Sequence, residues 1–170
     1  TNKTIEYLKA NRPELAKLVE AGIPLKDAIS MMGEKGKDSA ELRKQFLNLP
    51  TTKAFSSQAT SYGRLIDSAS DPSPAGDLAL VFNFMKILDP GSTVREGEFA
   101  TASNAGGVDD KMKSLYNSII EGTILSEDQR ADFLSRAGKL YKGAENLYNK
   151  TSSYYEGLSG KTQAEFAPDL

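Results

Sequence analysis

The sequence of 170 residues contains no cysteine, no histidine and no tryptophan. The lack of cysteine excludes disulfide bonds and a cysteine nucleophile within this chain, and without histidine as well, a zinc site of the Cys/His type cannot form. The lack of histidine also excludes a Ser-His-Asp triad and a histidine general base. Any catalysis by this chain would therefore depend on carboxylate, lysine or hydroxyl groups.

The sequence also has no large excess of positive or negative charge. Lysine and arginine together number 21, aspartate and glutamate 23, and the net charge is −2. Short helices predicted in residues 1–50 resemble a helix-turn-helix layout, but the second of them, at about residues 24–32, carries Lys26 as its one cation. Because proteins that bind nucleic acid usually present a strongly basic face, the sequence does not favour a nucleic-acid partner.

Long apolar runs are also missing. The longest one, residues 78–88, is interrupted by Asn83 and Lys86, whereas a membrane span needs about 20 apolar residues. We therefore predict no transmembrane segment, and no signal peptide is visible. The sequence starts at Thr1 without an initiator methionine, and we expect it to be a processed product or a fragment of a longer protein.

What the sequence does contain is a succession of helix signals, beginning with residues 1–70. Gly22 is typical of a helix stop, and Asp38 with Glu41 has the spacing of a capping box. Pro50 is expected to stop or kink the helix that follows this box. We predict an N-terminal helical subdomain over residues 1–70.

A C-terminal helical subdomain is predicted at residues 77–160. The preceding run, residues 71–76, is rich in proline and serine and is the candidate linker between the two parts. Residues 78–88 are apolar nearly all round, which predicts a central, largely buried helix. We expect the last residues, 161–170, to form a flexible tail.

The most regular feature is a long C-terminal helix predicted at residues 127–156, after a capping box of Ser126 and Gln129. Apolar residues along it alternate three and four apart, and others recur every seventh residue, which is the pattern of a coiled-coil seam. At about 1.5 Å per residue, this helix is longer than a domain of this size is wide. Its C-terminal half is therefore expected to project beyond the core or to pack on another chain. The sequence leaves open whether the helix pairs with copies of itself or folds back. The predicted interaction seam consists of Phe133, Leu134, Leu140, Tyr141, Leu147, Tyr148, Tyr154 and Tyr155.

Paired carboxylates are the most plausible catalytic groups in such a chain. Glu96 and Glu98 follow one turn, and Asp109 and Asp110 follow the next. A glycoside-cleaving site needs a carboxyl group in a cleft and usually a second one across from it. Glu96 and Asp110 are better explained as charges in the first turn of a helix. The sequence also lacks a P-loop and an EF-hand loop. We therefore predict no catalytic, cofactor-binding or metal-binding residues.

A structural corner is predicted where the apolar helix meets the next one. Asp77 begins the apolar helix as an N-terminal charge, and Pro90 and Gly91 end it. A second short helix, to about residue 102, would follow. The remaining members of this corner have polar roles: Arg95 can pair with Asp89 or Glu98, and Glu96 completes a cap with Thr93.

Residues 76–100 resemble a segment that recurs in large virion proteins of tailed bacteriophages, which include internal or DNA-ejection proteins and tail-associated proteins. Residues 41–50, 115–117 and 129–133 are similar to neighbouring parts of the same family. The resemblance implies a structural protein of the phage particle, delivered in some cases into the host cell envelope. It carries no catalytic residues over to this chain.

Together these observations predict an all-α protein, a multi-helix array or bundle with a long, heptad-patterned C-terminal helix. The predicted function is a non-catalytic structural and interaction module of a phage virion, with itself or other virion proteins as partners and with no cofactor. The alternative is a cell-wall-degrading enzyme, or its accessory domain, which acts while the genome enters the host. In that alternative Glu96 or Glu98 would serve as the acid.

Overall fold

A computed structural model describes residues 2–33, 36–93, 95 and 110–162. Within these residues it contains α-helices, a short 3-10 turn at Met31–Gly33 and no strand, so the predicted all-α fold is confirmed. The helices are α1 (Asn2–Asn11), α2 (Pro13–Glu20), α3 (Leu25–Ser30), α4 (Ser39–Asn48), α5 (Pro50–Ala69), α6 (Pro74–Leu88), α7 (Asp110–Ile120) and α8 (Glu127–Ser159).

Local side-chain chemistry determines where several helices begin. The Asp38 carboxylate accepts a hydrogen bond of 2.9 Å from the backbone N–H of Glu41 and so begins α4. At the start of α8, the N–H of Gln129 donates to the Ser126 hydroxyl at 3.2 Å, and the N–H of Ser126 donates to the Gln129 side chain at 2.9 Å. This reciprocal pair is the predicted capping box, and it satisfies donors that the first helical turn leaves without partners.

Pro50 both ends one helix and begins another. Helix α4 stops at Asn48, as predicted, but the next helix, α5, starts only two residues later, at Pro50 itself. Proline is well suited to a first helical position because no intrahelical acceptor would be available for an N–H there. The sequence pattern predicted a stop or a kink at Pro50, but not that the next helix would begin there.

The chain forms two compact units. Unit 1 comprises Thr1–Phe55 and Ala144–Leu170, and unit 2 comprises Ser56–Gly143. Helices α5 and α8 each contribute residues to both. This division differs from the predicted one at residues 71–76, because that run lies within unit 2 as a tight corner before α6. There the Ser73 hydroxyl accepts a hydrogen bond from the N–H of Gly76 at 3.1 Å and caps the helix.

Unit 1 buries the short N-terminal helices against the end of α8. Leu8, Leu15 and Leu42 are fully buried, and the aromatic ring of Phe46 lies between the tyrosine rings of α8. The prediction that the C-terminal half of α8 projects or packs on another chain is therefore wrong. Helices of 6 to 10 residues cannot bury their apolar stripes on each other alone, and α8 supplies the missing apolar face.

Unit 2 is built around α6. The side chains of Leu80, Val81 and Ile87 are almost completely buried, and the core around them includes Leu65 of α5. Further core residues come from α7 and α8: Tyr116, Ile119, Phe133 and Ala137. The prediction of a central, largely buried helix at residues 78–88 is thus confirmed.

Some predictions fall outside the described residues. They are the short helix to about residue 102, Glu96 of the predicted corner, and the carboxylates Glu98 and Asp109. The flexible tail also lies there from residue 163 onward.

Candidate functional site

Asp77 receives three hydrogen bonds in the interior of unit 2. Its Oδ1 accepts from Arg130 Nε at 2.8 Å, and its Oδ2 accepts from Arg130 Nη2 at 3.0 Å. The backbone N–H of Leu125 also donates to Oδ2, at 2.8 Å. The two parallel bonds from the guanidinium are the bidentate arrangement that makes arginine–carboxylate pairs strong and directional. Asp77 therefore joins the first turn of α6 to the start of α8, in addition to its predicted position at a helix N-terminus.

Both members of this pair are shielded from solvent. The Asp77 side chain is completely buried, and that of Arg130 is 10% exposed. Hydrogen bonding to Asp77 raises the pKa of Arg130 above its ordinary value, against the opposing effect of burial. The guanidinium therefore keeps its positive charge, as arginine does in proteins generally. A buried pair with two parallel hydrogen bonds of this kind is suited to holding two helices together.

The corner after α6 is held by side chains from α5 and from α6 itself. Gln58 donates its amide to the carbonyl of Ile87 at 2.9 Å, and the Ser57 hydroxyl donates to the carbonyl of Pro90 at 3.4 Å. The Lys86 ammonium donates to the carbonyl of Ser92. The first bond satisfies a carbonyl of the last turn of α6, and the other two satisfy carbonyls of the turn that follows it. The expected ion pair of Arg95 with Asp89 or Glu98 stays a prediction, and so does the role of Gly91.

In unit 2 the predicted seam packs mostly on the chain itself. The Phe133 ring meets Phe84 of α6 edge-on, with centroids 5.0 Å apart. Tyr141 stacks on Tyr62 of α5 at 4.6 Å and 11°. Leu134 packs against the core cluster, whereas Leu140 remains 38% exposed. The aromatic contacts have the offset or edge geometries that aromatic pairs prefer.

In unit 1 the remaining seam residues also pack within the chain. Tyr148 stacks on Phe55 at 4.5 Å and contacts Phe46 at 5.5 Å. Tyr155, which is 1% exposed, contacts the same Phe46 at 5.4 Å. Tyr154 meets Tyr155 edge-on. Leu147, the last seam residue, lies near Gly22, since a Cβ on that glycine would be 3.8 Å from Leu147 Cδ2. In unit 1, this part of the seam therefore lies on the face of α8 that Phe46 of α4 and Phe55 of α5 contact.

Arg12 is a second polar centre, in unit 1. Its Nη2 donates to the hydroxyl of Tyr154 at 2.8 Å, and its Nη1 donates to the carbonyl of Met32 at 2.9 Å. Its Nε pairs with Glu14 at 2.6 Å. The hydrogen bond with Glu14 is the largest cause that raises the pKa of Arg12, and Tyr154 adds to it. Arg12 thus ties the start of α2 to the end of α8.

An apolar groove opens on the surface of unit 2, with a volume of about 440 Å³. We call it the unit 2 groove. Leu88 of α6 and Leu140 of α8 are 49% and 38% exposed, so a large part of its lining is accessible to a partner. The described residues that line it are Phe84, Met85, Leu88, Met112, Arg136, Lys139 and Leu140.

Charge in the groove is of one sign. Arg136 and Lys139 are the charged residues of the lining, and both are basic. Arg136 pairs at 2.9 Å with Asp132, one turn earlier on α8, and both side chains of this pair are well exposed. Such a pair contributes only about 0.3–0.5 kcal/mol. The groove therefore combines an apolar floor with a basic edge that a partner can reach.

The described residues include neither a metal-binding cluster nor a membrane-spanning helix. Nowhere in residues 2–33, 36–93, 95 and 110–162 do three or more acidic side chains gather in a group that could hold a metal ion. Within the same part of the chain, no helix is both long and apolar enough to cross a membrane.

Sequence reasoning missed Arg130 and Arg12 as structural centres, and Leu88 as an exposed groove residue. Arg130 lies 53 positions from its partner, so no local spacing signals the pair. Arg12 carries a stronger hint, since it stands between two helices, immediately before Pro13 at the start of α2. The aromatic partners of the seam carry a local signal in part, because Phe46 and Tyr62 lie at helical spacing from the apolar residues Leu42 and Leu65.

Comparison with known proteins finds no relative. The chain matches no protein-family model, and neither a curated protein nor a solved structure is significantly similar to it.

Proposed function

We propose that this protein is a non-catalytic helical structural and interaction module of a tailed-bacteriophage virion. It belongs to the internal or DNA-ejection proteins, or to the tail-associated ones, and its partners are copies of itself or other virion proteins. The resemblance of residues 76–100 to phage virion proteins supports the setting. The observation that carries the interaction role is the accessible apolar floor of the unit 2 groove.

The structure favours assembly through the unit 2 groove over assembly through the heptad seam. Of the eight predicted seam residues, seven are buried or half-buried, and Leu140 alone is exposed. A partner helix therefore cannot use the heptad seam as a whole without opening the protein. Helix–helix assembly is instead assigned to the surface on which Leu140 joins Leu88, within the unit 2 groove.

Quantitative mass spectrometry of purified phage particles tests the virion assignment. Particles of the phage that encodes this chain are compared before and after DNA release, with the major capsid protein as the internal standard. We expect peptides of this protein at a fixed copy number in full particles. An ejected protein falls in copy number after DNA release, whereas a tail-associated one does not. Absence of the peptides from full particles would overturn the proposal.

A further inference from the structure

The lining of the unit 2 groove suits a helix as its occupant. Its floor is formed by residues of three helices, Met85 and Leu88 on α6, Met112 on α7 and Leu140 on α8. Unbranched methionine side chains adapt to the shape of what they contact, and they are common in surfaces that bind helices. An amphipathic helix inserts apolar anchors at positions i, i+3, i+4 and i+7 into grooves of this kind.

Charge complementarity determines which helix fits. Among the described residues of its lining, the groove presents Arg136 and Lys139 beside its apolar floor, and none of these residues is acidic. Arg136 can exchange its weak, exposed pair with Asp132 for a carboxylate of the partner at little cost. A partner with acidic side chains flanking its apolar stripe would therefore gain two favourable charge contacts, whereas a basic partner would be repelled.

The same charges disfavour a symmetric dimer at this surface. In a two-fold dimer the same patch of each copy meets its counterpart, so residues of one groove would face those of the other. Two copies of Arg136 and Lys139 would then be brought together around the apolar contact. Like charges opposed in this way oppose association.

We propose that the unit 2 groove binds an acidic amphipathic helix of a different protein. The apolar stripe of this helix packs on Leu88, Met112 and Leu140, and its carboxylates lie near Arg136 and Lys139. This proposal rests on the proposed function and names the kind of partner for it.

A synthetic helix tests the proposal with the full chain. The probe is a fluorescein-labelled peptide of about 18 residues, or five turns, with leucine at i, i+3, i+4 and i+7 and with glutamate and alanine elsewhere. Its controls are the same peptide with lysine in place of glutamate and a scrambled leucine–glutamate peptide. Binding is followed by fluorescence anisotropy at low and at moderate salt. We expect saturable binding of the acidic helix and at least tenfold weaker binding of both controls.

Variants of the chain locate the binding surface. Leu88→Ser and Leu140→Ser remove exposed anchors and are expected to weaken binding of the acidic helix at least tenfold. Ile66→Ser, at a 45% exposed isoleucine of α5 outside the groove lining, is the matched control and should leave binding unchanged. Lys139→Glu should weaken binding of the acidic peptide and strengthen binding of the lysine peptide. Circular dichroism confirms that each variant is folded.

Three outcomes would overturn the proposal. They are no saturable binding of the acidic helix, equal weakening by Ile66→Ser and Leu140→Ser, and no change of charge preference in Lys139→Glu. A dimer found by light scattering and abolished by Leu140→Ser would also overturn it, because a second copy would then occupy the groove. A dimer of this kind would still agree with the proposed function, because copies of the chain are among the partners proposed there. Mass spectrometry of phage particles tests the virion assignment independently of these binding results.

Discussion

Asp77 connects α6 to α8 through its carboxylate, and removing its charge should destabilise the folded protein strongly. Asp77→Asn keeps an acceptor for the Leu125 N–H but leaves the Arg130 guanidinium buried without a counter-charge. Arg130→Met leaves the carboxylate without its partner. Breaking a buried pair by removal of one member is strongly destabilising, and we expect each variant to lower Tm by roughly 6–20 °C.

Thermal unfolding of the double variant separates charge from packing. Asp77→Asn with Arg130→Met removes both charges, so the double variant should lose less stability than the two single losses added together. Arg136→Met is the matched control, because it breaks an exposed arginine–aspartate pair and should change Tm by no more than about 2 °C. Strict additivity in the double variant would show that the buried pair is not coupled.

Removal of the Tyr154 hydroxyl should cause a smaller loss of stability than the changes at Asp77 and Arg130. Tyr154→Phe removes the acceptor for Arg12 Nη2 and keeps the ring on Tyr155. We expect a loss of about 1 kcal/mol in the free energy of unfolding, measured by urea denaturation. Tyr7→Phe, at a 53% exposed tyrosine, should stay within about 0.5 kcal/mol of the parent protein. Equal losses in the two variants would contradict the assigned role of Arg12.

Single residues were predictable from the sequence only where their role is local. The carboxylate of Asp38 and the hydroxyl of Ser126 act within four residues, so their spacing reveals the caps. The ion pair of Asp77 spans 53 positions, and a charge at a helix start already had a sufficient local explanation. Long-range partners of this kind leave no periodic trace in one sequence.

At the scale of elements, the corner before α6 requires glycine at position 76. A Cβ built there would lie 2.1 Å from the backbone oxygen of Asp71, and backbone cannot move aside as a flexible side chain can. Gly76→Ala should therefore open the corner and weaken the start of α6, with a fall in Tm of several degrees. Gly63→Ala, in the exposed middle of α5, meets nothing within 4 Å and should stabilise the protein by about 0.5–1 kcal/mol.

Thermal unfolding of the two alanine variants measures both changes. If the corner is tight, Gly76→Ala lowers Tm and Gly63→Ala raises it. A small change of the same sign in both would show that residues 71–76 form a loose linker, as the sequence composition suggests. Proline and serine are common in linkers and also in helix caps and turns. Composition alone therefore cannot distinguish a flexible connection from the capped corner that Ser73 forms.

Across the whole molecule, the heptad pattern of α8 was the strongest signal and the one whose partner could not be predicted. An apolar stripe repeats in the same way whether a copy, another protein or the same chain covers it. In this protein the N-terminal helices cover its C-terminal part, through Phe46, and α5 covers Tyr141 through Tyr62. The covering partner depends on the fold of the entire chain, which periodicity along one helix does not encode.

This arrangement makes the end of α8 part of the N-terminal unit, and truncation tests that consequence. A chain ending at Gly143 retains all of unit 2 but lacks Tyr148 and Tyr155, which contact Phe46 in unit 1. We expect the helical circular dichroism signal to fall by more than the deleted α8 residues alone would account for. Helices α1 to α4 are too short to persist without α8, so their signal should be lost as well. Limited proteolysis should cut within residues 2–48 and spare residues 56–88. A chain ending at Gly160 is the control and should keep its helicity and protection. Undiminished protection of residues 2–48 in the shorter chain would show that α8 is dispensable for unit 1.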